Sequence, residues 1–167
     1  ILRCLVGSEM CIRDRAIPDD ALAIKIIHNK TYQTSYRGYV PNEYLDDLII
    51  TDDILQRTQK ILSHTECYVV VDQNCLIAFA YILELDENVF EINALYVLPE
   101  YQKLGAGSLL VNYVCNLKKD KAYKQCLVWT MKDGPSVKFY NKQGFQPTGN
   151  EKVWKFDIPI IELIKML

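Results

Sequence analysis

The chain has 167 residues, of which 50% are hydrophobic and 24% charged, and its formal net charge is −2. This length and composition predict one globular domain, and the near-neutral charge argues against the clustered Lys and Arg of a nucleic-acid-binding face. The apolar runs fall short of the roughly 20 residues that a membrane span needs. We therefore expect small molecules or other proteins as partners, with no nucleic acid and no membrane.

The first fifteen residues do not fit the pattern that follows them. They contain C-L-V-G-S-E-M-C-I-R-D, which resembles a translated sequencing adaptor, and they lack the long apolar core of a signal peptide. We expect residues 1–15 to be non-native or disordered and residues 16–167 to form a single domain. The six cysteines form no C-x-x-C pair and only two histidines are present, so we expect free thiols in a reducing cytoplasm and no metal site.

From Ala16 onward the chain begins with helical signals. Pro18 is typical of a first helical turn, and apolar residues then recur at helical spacing. A tyrosine-rich stretch leads to Pro41, and a second helical region covers residues 42–63 with a break near Thr51.

Strand and helix signals alternate in the rest of the chain. Three β-rich runs joined by polar turns predict an antiparallel meander, and they lie at residues 67–71, 76–85 and 89–97. A helix, a strand, a short helix and a final strand or hairpin are then expected at residues 105–119, 126–130, 134–142 and 145–156.

The third strand of the meander leads through Pro99 to Gly105 and Gly107 at the start of a helix. The first N–H groups of a helix lack intrahelical partners and carry partial positive charge, so they bind phosphates, and glycine lets the backbone approach an anion. The segment is neither a Walker loop nor a dinucleotide fingerprint, because Leu110 stands at the third glycine position. By themselves the residues fit an anion-binding turn and a tight packing turn equally well.

Two segments together resemble the GCN5-related N-acetyltransferase (GNAT) superfamily. Gln102, Gly105 and Gly107 match its Q/R-x-x-G-x-G/A signature, and residues 136–145, S-V-K-F-Y-N-K-Q-G-F, are similar to its F-Y-x-x-x-G-F segment. The resemblance spans roughly residues 16–156. It implies an α/β (mixed α+β) fold with a central, mostly antiparallel sheet that is splayed between strands four and five and flanked by helices.

The resemblance also implies acetyl-coenzyme A as co-substrate and no metal. In this family the pantetheine arm pairs with strand four, which here carries Leu95, Tyr96 and Val97. The pyrophosphate lies on the turn, whose candidate binding residues are Gln102, Lys103, Leu104, Gly105, Ala106, Gly107 and Ser108.

Three further residues take candidate roles from the resemblance. Tyr140 is expected to protonate or hydrogen-bond the departing sulfur, although it could also be a packed aromatic beside Phe139. Glu91 is the candidate general base, with a solvated strand residue as the alternative. Asp133 stands where the family often has an Asn that helps place the cofactor arm.

The implied activity is transfer of an acetyl group to a primary amine of a small molecule or peptide by direct attack. The alternative is a non-catalytic acyl-coenzyme A sensor or interaction module. Tyrosines in the helical N-terminal half could flank the acceptor by cation–π contact or pack a helix pair, and they are Tyr32, Tyr36, Tyr39 and Tyr44. A cytoplasmic location and a homodimer complete the expectations, whereas the acceptor's identity stays open.

Overall fold

The structure is a computed structural model that describes residues 3–4 and 10–167. The helices of this described part are α1 Ala21–Ser35, α2 Asn42–Asp46, α3 Asp52–His64, α4 Ala106–Asp120 and α5 Ser136–Lys142. Its strands are β1 Arg3–Cys4, β2 Cys11–Arg15, β3 Glu66–Asp72, β4 Cys75–Glu84, β5 Val89–Val97, β6 Gln125–Met131, β7 Gln146–Val153 and β8 Pro159–Met166.

The strands form one sheet in the order β1-β2-β3-β4-β5-β6-β8-β7. The pairs β1–β2, β2–β3, β6–β8 and β7–β8 are antiparallel, and β5–β6 is parallel. The parallel register joins residues 89–91 to residues 125–127, while β5 continues to Val97 and β6 to Met131. This confirms the mixed α/β class and the splay between β5 and β6, which are strands four and five in the fold that the resemblance implies.

The chain divides into two compact units. The first contains the described residues up to Tyr81 together with Ala94–Leu110, and the second contains Ile82–Asn93 and Val111–Leu167. Apolar side chains of α1, α3, β3 and β4 form a core within the first unit, including Ile24, Ile27, Leu62, Val69 and Phe79. The second unit buries Phe90, Val114, Cys126, Val128, Phe145 and Leu163.

Residues 11–15 occupy a strand position, as β2. Ile12 is fully buried and lies opposite Val70 of β3. The non-native origin of residues 1–15 stays a prediction, as does the single domain over residues 16–167, and residues 1–2 and 5–9 lie outside the described part. The expectation of free thiols is wrong for Cys11, which is disulfide-bonded, whereas the free cysteines of the described part are Cys67, Cys75, Cys115 and Cys126.

The helical break near Thr51 and the end of the chain show where local signals succeed and fail. Thr51 is the N-cap of α3, and its side chain accepts the Ile54 N–H at 3.3 Å, which separates α3 from α2. Strand β8 is missing from the sequence prediction, although it lies between β6 and β7. In the turn before β8, Phe156 and Asp157 have φ of 58° and 56°. The turn lacks the Asn-Gly pair from which such turns are usually predicted.

None of the helices in the described residues is long and apolar enough to cross a membrane.

Candidate functional site

The turn before α4 has the backbone geometry that its glycines predict. Lys103 and Gly105 both adopt the left-handed region, at φ 63° and 100°. The Leu109 N–H donates to the Gly105 carbonyl at 2.9 Å, which is the first hydrogen bond of a helix beginning at Ala106. Helix geometry therefore directs the N–H groups of Ala106 and Gly107 outward along the axis. A side chain at position 105 would be strained whatever its size.

The turn is accessible while the helix behind it is anchored. Gln102, Lys103 and Leu104 are exposed, whereas Ala106 and Leu110 are 1% and 0% exposed. An exposed turn with outward N–H groups on a fixed helix end fits an anion such as a pyrophosphate, because the donors need not reorganise on binding.

Strand β5 is bonded to β4 at both of its ends. The Leu85 and Asp86 N–H groups both donate to the Val89 carbonyl, at 2.9 and 3.2 Å, and the Leu98 N–H donates to the Ile77 carbonyl at 2.9 Å.

The backbone of Val97 faces away from β4. Its carbonyl accepts hydrogen bonds from Thr31 Oγ1 and Gln102 Nε2, each at 3.1 Å. Because backbone groups alternate along a strand, those of Leu95 point to the same side. The Val97 N–H and the backbone N–H and carbonyl of Leu95 therefore lie along one edge, whereas the Val97 carbonyl is already bonded within the chain.

Tyr96 lies in an aromatic cluster against α1. Its ring centroid is 5.3 Å from His28, 5.8 Å from Tyr32 and 5.4 Å from Phe79. Burial, followed by the neighbouring Tyr36, raises the pKa of Tyr96 well above its ordinary value. The raised pKa keeps the Tyr96 hydroxyl protonated at neutral pH, and the half-buried ring packs against α1.

Tyr32 is enclosed within the same cluster. Its ring stacks on His28 at 4.3 Å and on Tyr36 at 4.4 Å, one turn of α1 before and one turn after it. Burial, followed by Tyr36, raises its pKa to about 12. Because both ring faces are covered, Tyr32 packs α1 and presents no face to an amine.

Tyr140 is a buried residue of α5. It is 7% exposed, and its ring meets Phe139 at 5.1 Å and Phe145 at 5.4 Å in edge-on geometry. The two roles considered for it therefore concern different atoms, since the ring packs and only the hydroxyl could take part in chemistry.

Glu91 lies on the opposite face of the second unit's sheet from Tyr140. Phe90, Cys126 and Lys165 are register partners on one face, where Lys118 of α4 lies 5.9 Å from the Phe90 ring. Lys165 lies over Phe145, which contacts Tyr140, so α5 is on this same face.

Strand alternation places Glu91 on the other face, opposite Leu127 in the register. Its Oε1 accepts a hydrogen bond from Asn93 Nδ2 at 3.0 Å. Asp133 is exposed in the turn after β6. That turn is tight, since a Cβ on the next residue, Gly134, would lie 2.9 Å from the Met131 Cβ.

The structure therefore groups the candidates in two sets. The first unit holds the β5 end and the turn, with Leu95, Tyr96, Val97 and residues 102–108, and the second unit holds Glu91, Asp133 and Tyr140. Thr31 was missed by the sequence reasoning, although a buried threonine among apolar helix positions signals a polar partner. No group of three or more potential metal ligands occurs among the described residues.

Comparison with known proteins identifies the family. Residues 28–145 match the model of the acetyltransferase (GNAT) family, and the chain belongs to that family. An uncharacterised N-acetyltransferase of Bacillus subtilis, YuaI, is 25% identical over 134 residues, covering 77% of this chain and 75% of the relative.

Solved structures show the same fold. The PaiA N-acetyltransferase of Thermoplasma acidophilum, in complex with coenzyme A, has a TM-score of 0.75 at 19% identity and covers 95% of this chain and 99% of its own. The acetyltransferase YncA of Salmonella typhimurium, with acetyl-coenzyme A, has a TM-score of 0.71 at 19% identity and covers 96% and 95%.

Proposed function

We propose that the protein transfers an acetyl group from acetyl-coenzyme A to a primary amine of a small molecule or peptide. The observation that carries this proposal is the exposed left-handed turn at Lys103 and Gly105, which leads into α4 in a chain of the GNAT family. Two structurally similar proteins hold coenzyme A or acetyl-coenzyme A, which supports the same co-substrate here. Cytoplasmic location and a homodimer remain predictions.

The binding role falls mainly on backbone groups. The N–H groups of Ala106 and Gly107 at the start of α4 would hold the pyrophosphate, and Lys103 would add positive charge at its rim. The edge formed by Leu95 and Val97 would pair with the amide groups of the pantetheine arm. Asp133 would contribute little, because a carboxylate lacks the N–H donor of the Asn that the family often has there.

The chemistry requires two proton movements. The acceptor amine attacks the thioester carbonyl carbon, the carbon–sulfur bond breaks, and the amine loses a proton. Glu91 would take that proton directly or through a water, and the Tyr140 hydroxyl would donate a proton to the departing thiolate. Holding both reactants together supplies much of the remaining acceleration.

A non-catalytic acyl-coenzyme A sensor is the second candidate. It is favoured by the packing of Tyr140 between Phe139 and Phe145, which gives the ring a structural role without any chemistry. A sensor and an enzyme share the turn before α4 and differ in whether thiol is released when an amine is present.

Release of free thiol from acetyl-coenzyme A, measured across a panel of polyamines, aminoglycosides, amino acids and peptides, tests the proposal. We expect amine-dependent release with at least one class, and a Glu91→Gln variant should lose rate most at low pH, where the amine needs a base. Tight acetyl-coenzyme A binding without release for any amine would favour the sensor.

A further inference from the structure

The peptide group between Val97 and Leu98 is held from both sides. Its carbonyl, that of Val97, accepts from Thr31 Oγ1 and Gln102 Nε2, and its N–H, that of Leu98, donates to the Ile77 carbonyl. A carbonyl oxygen has two lone pairs, so the Val97 carbonyl is saturated within the chain. Thr31 is 6% exposed, so at least this side of the carbonyl is shielded from water.

Gln102 uses all of its N–H groups inside the protein. Its backbone N–H donates to the Pro99 carbonyl at 3.3 Å, and Nε2 donates to the Val97 carbonyl at 3.1 Å and to Ser35 Oγ at 3.4 Å. The amide orientation follows from this network, because exchanging Nε2 and Oε1 would set two oxygens against each other. The remaining Oε1 is an acceptor and repels phosphate.

We propose that Gln102 is a positioning residue rather than a phosphate ligand, and that Thr31 shares its task. This inference rests on the proposed function, because it concerns how the coenzyme A site is held. Thr31 and Gln102 form a two-donor clamp on the Val97 carbonyl that ties α1 to the end of β5. The clamp fixes the Val97 N–H and the Leu95 carbonyl as the groups left for the pantetheine arm, and it sets where the turn toward Gly105 begins.

The two donors are partly redundant, so the single and double variants should differ in how strongly they weaken coenzyme A binding. Thr31→Val or Gln102→Ala alone leaves one donor on the carbonyl, so each should weaken coenzyme A binding only about twofold to threefold. The double variant leaves the carbonyl without a donor. It should weaken binding by well over the product of the single effects, which is the mark of two residues acting on one group.

The measurement is calorimetric titration of coenzyme A into the full chain, with KM and kcat for acetyl-coenzyme A determined alongside. Thr31→Ser keeps the hydroxyl at this position. The double variant of Thr31→Ser with Gln102→Ala should therefore bind coenzyme A as tightly as Gln102→Ala alone. Thr34→Val is the matched control, because within the described residues the Thr34 hydroxyl bonds only to the α1 carbonyls of Lys30 and Thr31. The clamp predicts a change in KM with little change in kcat.

The outcomes separate the inference from the function beneath it. Single effects that simply multiply, or an affinity loss confined to Gln102→Ala, would make Gln102 a ligand and overturn the clamp alone. A double variant that loses stability while binding coenzyme A normally would also overturn it, since the contacts would then be merely structural. No coenzyme A binding by the unaltered protein would overturn the proposed function and the inference with it.

Discussion

Tyr140 has an observed packing role and a proposed chemical role, and the two can be separated by removing one atom. Tyr140→Phe keeps the ring contacts with Phe139 and Phe145 and deletes the hydroxyl. We expect turnover to fall by more than about tenfold with little change in coenzyme A affinity, because a proton donor typically contributes at least that factor.

Steady-state thiol release and calorimetry measure the two effects of Tyr140→Phe. Tyr123→Phe is a matched control in the same unit, since its ring packs on Phe90 at 5.7 Å and carries no proposed chemistry. Unchanged thiol release from Tyr140→Phe would remove Tyr140 from the mechanism.

At the residue level the sequence predicts some roles and misses others. The left-handed backbone of Gly105 could be predicted, because glycine is the residue type that adopts this conformation without strain. Lys103 also adopts the left-handed region, which its residue type does not predict. Thr31 is missed because its partner, the Val97 carbonyl, lies 66 positions away. A threonine among apolar helix positions signals a polar partner but does not say which backbone carbonyl that partner is.

The turn before α4 is the element whose backbone can be tested directly. A leucine at Gly105, where φ is 100°, would be strained and would place a side chain at the proposed anion-binding surface. We expect Gly105→Leu to abolish coenzyme A binding in calorimetry.

Gly149→Leu provides the control for backbone strain. Gly149 has φ 94°, and no atom lies within 4 Å of the position that a Cβ would take there, so the substitution carries the same conformational cost in β7. It should lose stability while keeping coenzyme A affinity. Retained binding in Gly105→Leu would argue against the pyrophosphate turn.

Elements with strong local signals were predicted closely. Strand β5 matches residues 89–97, and the capping Thr51 explains the helical break. The parallel pairing of β5 with β6 was outside the reach of a single sequence, because register depends on hydrogen bonds between segments. Strand β8 was missed for the related reason that its turn uses Phe156 and Asp157 in place of glycine.

At the scale of the whole molecule, a buried cation in the second unit contributes to pH-dependent stability through its carboxylate partner. Lys118 is 0% exposed and donates to Glu84 Oε1 at 2.6 Å. That hydrogen bond, with a second from Tyr123, lowers the pKa of Glu84 below its ordinary value of 4.5. A lowered carboxyl pKa contributes stability above the unfolded-state value and loses it as pH falls through the folded-state value.

Glu84→Gln should therefore lower the free energy of unfolding at neutral pH and lower it progressively less as the pH falls below 4.5. Because the Glu84 side chain is 52% exposed, solvent screens the pair and the effect should be modest. Urea denaturation at several pH values measures it, with the exposed neighbour Glu87→Gln as control. An equal loss of stability at every pH would mean that the carboxylate charge contributes nothing.

The opposite faces of Glu91 and Tyr140 have a consequence for how specificity can change. Residues beside Glu91 belong to one packing layer of the second unit's sheet, and α4, α5 and Tyr140 belong to the other. Under the proposed roles, the layer beside Glu91 faces the amine and the layer of Tyr140 faces the thiol. Substitutions that change acceptor choice would then accumulate in the first layer without disturbing the helices of the second, which opens the two traits to independent drift or redesign.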